Sequence, residues 1–110
     1  MHVVHHAHLP HLHLGAELCI AAADRSRGVT GFEVWVRTLA PGAHTDTLRH
    51  AGELVVLALV GAGKLLIDGG PQRFGGPCTL LIPAGTAFQL ANPGTEPLQL
   101  VWVFTSPPTS

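Results

Sequence analysis

The chain has 110 residues, 46% of them hydrophobic and 12% charged, which suits one domain with a real core and excludes a disordered tail. Formal net charge is −1, and the six basic residues Arg25, Arg27, Arg37, Arg49, Lys64 and Arg73 are scattered, so no basic stripe offers itself to nucleic acid. A surface with so few charges predicts that another subunit covers part of it, most simply as a homodimer.

The opening MHVVHHAHLP has no Lys or Arg and no continuous apolar core, so it does not read as a signal peptide. Six histidines fall in the first thirteen positions: His2, His5, His6, His8, His11 and His13. Imidazole binds nickel and zinc, so adventitious uptake of either ion is expected, although the spacing matches no fixed zinc motif. The preferred reading is a half-ordered first strand with exposed imidazoles. Ala16 to Gly28 carries alanines without a helical stripe and reads equally as a strand followed by a turn.

From Thr30 onward the pattern is short strands between glycine and proline punctuation. In GFEVWVRTL, Phe32, Val34 and Val36 share one face and Glu33, Trp35 and Arg37 the other. Pro41-Gly42 ends that strand. Glu53 to Val60 is a β-branched and leucine run, and Gly61-Ala62-Gly63 predicts a hairpin into Lys64 to Asp68. Gly69-Gly70-Pro71 turns into a short strand through Phe74, and Gly75-Gly76-Pro77 leads to Cys78 to Ile82. Thr86 to Ala91 and Leu98 to Phe104 complete the set. The longest apolar run, Leu54 to Val60, falls far short of the roughly 20 residues that span a bilayer, so no membrane partner is expected. With neither leader nor span, the expected compartment is the cytoplasm. Cys19 and Cys78 lie outside any zinc spacing and read as small buried or half-buried thiols, with a disulfide left open.

About eight strands without an intervening helix predict an all-β antiparallel barrel or sandwich. The expected organisation is one domain. Residues 1–30 form its histidine-rich arm and first strands, residues 31–105 the barrel, and residues 106–110 a disordered tail.

Two spaced patterns then resemble the motifs of the cupin superfamily, between about Gly31 and Phe104. Gly42, His50 and Gly61 fall where the first motif has its opening glycine, second histidine and closing glycine. Pro83, Gly85 and Asn92 fall at the corresponding places of the second motif, in LLIPAGTAFQLANPG. The resemblance implies a small RmlC-like double-stranded β-helix, or jelly-roll barrel. It also implies a metal held by two histidines and a glutamate of the first motif and one histidine of the second.

At those four positions this chain has Leu48, His50, Leu54 and Phe88, with Glu53 displaced by one from the glutamate place and Pro77 where the second motif opens with glycine. Leucine and phenylalanine have no lone pair for a cation, so the expected site is degenerate and holds no cofactor. His44, Asp46 and His50 are the alternative ligands. They share one strand face, and same-face neighbours stand about 7 Å apart, too spread to meet one ion easily. Glu53 is expected to face away from the interior. The chain has no tyrosine, which argues against the superfamily's metal-free sugar epimerases, whose acid is a tyrosine.

The expected pocket is lined by Asp46, Leu48, His50, Leu54, Phe88 and Leu90, apolar walls with two polar groups, as a small-molecule site requires. His50 is the one candidate general base; its bland alternative is a remnant satisfied by a backbone carbonyl or by Asp46. Trp35 and Trp102 are read as core or dimer contacts. Three functions follow: a metal-free binder of a small apolar molecule, which could act as a sensor, carrier or cyclase-like enzyme; a metal-dependent dioxygenase or isomerase; and a filled-barrel structural or regulatory dimer.

Overall fold

The computed structural model describes residues 3–15 and 17–105, and the expectations for His2 and for the tail 106–110 lie outside the described residues. A 3₁₀ turn at His6–His8 precedes ten strands, numbered in chain order. These are β1 (Leu12–Leu14), β2 (Glu17–Ala23), β3 (Phe32–Leu39), β4 (Leu48–Arg49), β5 (Leu54–Val60), β6 (Ala62–Ile67), β7 (Gly70–Gly75), β8 (Cys78–Ile82), β9 (Ala87–Ala91) and β10 (Leu98–Thr105). They form a six-stranded sheet in the order β1-β2-β3-β10-β5-β8 and a four-stranded sheet in the order β4-β9-β6-β7, every pairing antiparallel. The fold is an all-β jelly-roll barrel.

Alternation explains the core. Leu54, Val56 and Ala58 of β5, Leu98, Leu100 and Trp102 of β10, and Leu80 and Ile82 of β8 all point inward. They meet Leu65 and Ile67 of β6 and Phe88 and Leu90 of β9 from the opposite sheet, making one buried cluster. Glu53, just before β5, is exposed.

Of the segment Ala16 to Gly28, the described residues from Glu17 onward form a strand and a turn. After β2, Asp24 accepts a hydrogen bond from the Ser26 amide and caps a 3₁₀ turn at Arg25–Arg27, which Gly28 closes with φ of 86°. Gly69 sits in a two-residue hairpin between β6 and β7. Asp68 and Gly69 both have positive φ, 52° and 76°, the combination that matches strand twist in such turns.

Gly61-Ala62-Gly63 is not a hairpin. β5 pairs only within the six-stranded sheet and β6 only within the four-stranded one, so Gly61, with φ of 107°, is the corner at which the chain changes sheets. Sequence periodicity cannot tell a corner from a hairpin, because both need a residue that tolerates positive φ between two strands. At the far end of β9 the buried Asn92 pins the loop to β10. Its Nδ2 donates to the carbonyls of Leu39 (3.1 Å) and Glu96 (2.7 Å), and its Oδ1 accepts from the Gly94 amide (3.1 Å). Among the described residues no helix is long and apolar enough to cross a membrane.

Candidate functional site

Three of the four positions of the resembled metal set, Leu48, Leu54 and Phe88, come together. Leu48 of β4 lies opposite Phe88 of β9, and Leu54 joins Phe88 in the buried cluster with Leu48 packed against it. Phe88 is 1% exposed and Leu90 0%, so these side chains occupy the interior rather than line an opening. The set does not fit a metal. Three of its members offer carbon only, and the space a cation would need is taken by Leu54 and Phe88. Among the described residues no three His, Cys, Asp or Glu side chains are grouped to hold an ion.

His50, the fourth member, turns back on its own loop. Its Nδ1 lies 3.0 Å from the Gly52 carbonyl, and its ring packs at 4.7 Å against Phe104. The same Nδ1 lies 3.2 Å from the Gly52 amide, so its contacts are to backbone and not to Asp46. His44, Asp46 and Leu48 instead face a hollow of about 430 Å³ that they share with Leu14, Gly15, Glu17, Arg37 and Thr45. The six residues expected to line one pocket are therefore divided. Asp46 and Leu48 reach this hollow, Leu54, Phe88 and Leu90 fill the core, and His50 packs against Phe104.

A second hollow of about 230 Å³ adjoins the first, sharing Leu14 and Arg37. Its other walls are Cys19, Trp35, Trp102 and Phe104. The register of β3 explains this lining. Glu33, Trp35 and Arg37 lie opposite Phe104, Trp102 and Leu100 of β10, on the face that looks into the barrel. Val34 and Val36 lie opposite Val103 and Val101 on the outer face. Trp35 and Trp102, read from sequence as core or dimer contacts, are thus cross-strand neighbours that wall the hollow. The valine face, the more hydrophobic of the two, points away from the barrel interior.

Among the described residues, the buried side-chain atoms without a hydrogen bond are Glu17 Oε1 and Arg37 Nε, which meet as an ion pair, and Trp102 Nε1. Arg37 is held along one edge by Glu17 of β2, which it meets as a buried ion pair, Nη2 donating to Oε2 at 2.9 Å. The Arg37 guanidinium carbon sits 4.1 Å from the centroid of the Trp102 ring, and the Trp102 and Phe88 rings lie 5.8 Å apart, tilted by 47°. The Trp35 indole N–H donates to Glu33 Oε1 at 3.1 Å. The Trp102 indole N–H is buried and has no acceptor. Cys19, opposite Arg37 across β2 and β3, is a free thiol whose burial pushes its pKa up, against a smaller opposing pull from Arg37.

Glu17, Arg37, Cys19 and both tryptophans were not among the residues singled out as a site. The available signal was the composition of one β3 face. Glu, Trp and Arg at positions 33, 35 and 37 put charge and aromatic surface together beside a pure Phe/Val face.

Jelly-roll architecture with two sheets closing on a single interior places the molecule among barrel proteins of the cupin class. The Cupin domain family profile matches residues 35–104, and the chain belongs to that family. It is 33% identical over 90 residues to Auxin-binding protein 1 of Arabidopsis thaliana, covering 74% of this chain and 46% of that protein. To Auxin-binding protein T85 of Nicotiana tabacum it is 35% identical over 92 residues, covering 74% and 49%. The chain thus spans about half the length of the curated relatives it matches. Among solved structures it resembles the polyketide cyclase RemF from Streptomyces resistomycificus, with a TM-score of 0.84 at 17% identity over 97% of this chain and 82% of that one, a likeness of fold.

Proposed function

We propose that this cupin binds a small, mostly apolar molecule inside the barrel, without the metal usual at that place. The hollow walled by Leu14, Cys19, Trp35, Trp102 and Phe104 carries the reading, because apolar walls with few polar groups are what a small-molecule site needs. Relatives named for auxin binding and a structural neighbour named as a polyketide cyclase add support from two directions.

The test uses naphthalene as a bare probe, followed by calorimetry and by the indole N–H resonances of ¹⁵N-labelled protein. Both tryptophans of the chain, Trp35 and Trp102, line the hollow, so both signals report on it. Saturable binding that moves the Trp35 and Trp102 signals supports the reading. Unmoved signals and no heat up to the probe's solubility limit would leave the filled-barrel alternative, which Leu54, Phe88 and Leu90 packed in the interior favour.

The oligomer belongs to the same proposal. The outer face of β3, β10 and β5 presents the half-buried Val34, Val101, Val103, Val55 and Leu57 with no charged residue among them, a surface suited to a second copy. We place the protein in the cytoplasm. Nickel or zinc would be a surface property of the arm, where His5, His6, His8, His11 and His13 are exposed. Elemental analysis of protein purified without nickel, beside a variant with those five histidines replaced by glutamine, tests that assignment.

A further inference from the structure

We infer that β8 is the seam of a symmetric dimer, pairing antiparallel with the β8 of a second copy so that the two six-stranded sheets run on as one. The inference rests on the homodimer reading above and gives it a strand and a register. An edge strand presents a row of unpaired backbone donors and acceptors, and proteins guard such rows with brevity, proline or charge. Among the described residues the two sheets end in four edge strands, β1, β8, β4 and β7. β1 has three residues, and β4 has two, one of them Arg49. β7 carries Pro71 and Arg73. β8 has five residues, Cys78–Ile82, with neither charge nor proline among them. It pairs with β5 alone, and among the described residues no backbone hydrogen bond joins it to a loop. Leu81, on its outer face, is 72% exposed.

Charge and symmetry favour a second copy as the occupant. A strand that pairs with itself brings each of its charges into the seam twice, and β8 brings none. Pro77 and Pro83 stand immediately outside the strand and have no N–H for a ladder, so five residues is the length available. A two-fold axis at Leu80 uses all five. Leu80 then meets its own copy, Thr79 meets Leu81, and Cys78 meets Ile82, each pair on one face as the pleat requires. Within one chain Leu81 lies opposite Val55, and Thr79 opposite Leu57. Each outer row across the seam therefore reads Val55, Leu81, Thr79, Leu57, with large Leu81 beside small Thr79 and no charge. Glu53 shares a dent with Leu81 and Pro83, but it precedes β5 and lies outside the ladder. Five paired residues a side make a small interface, so the dimer should dissociate in the range of about 1–100 μM.

Sedimentation velocity of the full chain between about 5 and 500 μM brackets that range. The wild-type protein should pass from monomer to dimer as its concentration rises. Leu81→Lys changes an exposed side chain and should raise the dissociation constant at least about tenfold, because each copy would carry a lysine into the seam. An unchanged constant for Leu81→Lys, with loss of the dimer in Val101→Lys, would overturn the seam and leave a homodimer through the outer face. A wild-type chain that stays monomeric throughout would overturn the seam and the homodimer reading together. Cross-linking reads the register. Thr79→Cys and Leu81→Cys chains, each also carrying Cys78→Ser, are mixed in equal amounts and oxidised. The mixed disulfide should exceed either symmetric one several-fold, since only the mixed pair stands directly opposite. Equal yields would overturn the two-fold axis at Leu80. If Leu81→Lys does not fold, these yields still decide.

Discussion

Arg37 lies 4.1 Å over the ring of Trp102, and the two come from strands β3 and β10, which are far apart in sequence and adjacent in the six-stranded sheet. The contact places a protein-borne cation inside a barrel whose relatives-by-motif would place a metal ion. It also makes Arg37 the partner of two neighbours at once, Glu17 along its edge and Trp102 across its face.

That double role predicts a large cost for removing the cation. Arg37→Met leaves the Glu17 carboxylate buried without a partner and should destabilise the fold by about 3 kcal/mol. Glu17→Met combined with Arg37→Met should cost clearly less than Arg37→Met alone, because no orphaned charge remains. Urea unfolding of the two single variants and the double variant measures both quantities in one cycle.

The apolar replacement of the metal set is reversible in principle. Leu48 and Phe88 lie directly opposite each other on β4 and β9, so Leu48→His and Phe88→His would face two imidazoles, with Leu54→Glu beside them and His50 free to complete the set only by leaving Gly52. The triple variant should be less stable than wild type in chelator by several kcal/mol, since Leu54 and Phe88 are each 1% exposed. Zinc should raise its melting temperature and leave that of the wild type much less changed. A folded triple variant indifferent to zinc would show that these four side chains do not converge.

Close packing sets a different requirement at the corner before β8. A Cβ on Gly76 would come within 2.8 Å of the Leu59 backbone carbonyl, which cannot move aside as a side chain can. Gly76→Ala should therefore cost about 2–3 kcal/mol, in the overpacking range. Gly75→Ala is the control. Nothing lies within 4 Å of the atom it would add, and it should change stability by no more than about 0.5 kcal/mol. Thermal unfolding of the pair checks the difference.

Cys19 predicts an alkaline dependence. Burial raises its pKa in the folded state, so the unfolded chain ionises first as pH rises. Folding then opposes ionisation. The stability this group supports is full below the ordinary thiol value and falls as pH climbs from that value through the raised one. Cys19→Ala should flatten the stability profile above about pH 9 relative to wild type. In native protein a thiol reagent at pH 8 should modify the half-buried Cys78 well before the buried Cys19.

Apart from the two-residue β4, the strands from β3 to β10 were legible because alternation and turn residues are local properties. Leu54, Val56 and Ala58 announce one buried face, and Pro83, Gly85 and Asn92 mark the turns around β9. That Leu48, Leu54 and Phe88 offer a cation no lone pair was legible too, because a side chain carries that property wherever it is placed. Tertiary structure alone decided which face of β3 looks inward. Alternation separates Glu33, Trp35 and Arg37 from Val34 and Val36 but assigns neither set to the interior, and hydrophobicity points the wrong way. The pairing of β3 with β10 and β2 settles it, setting Trp35 beside Trp102 and Arg37 beside Cys19 and Glu17. Those contacts join residues 17–19, 35–37 and 102, and no local pattern encodes a meeting between segments so distant along the chain.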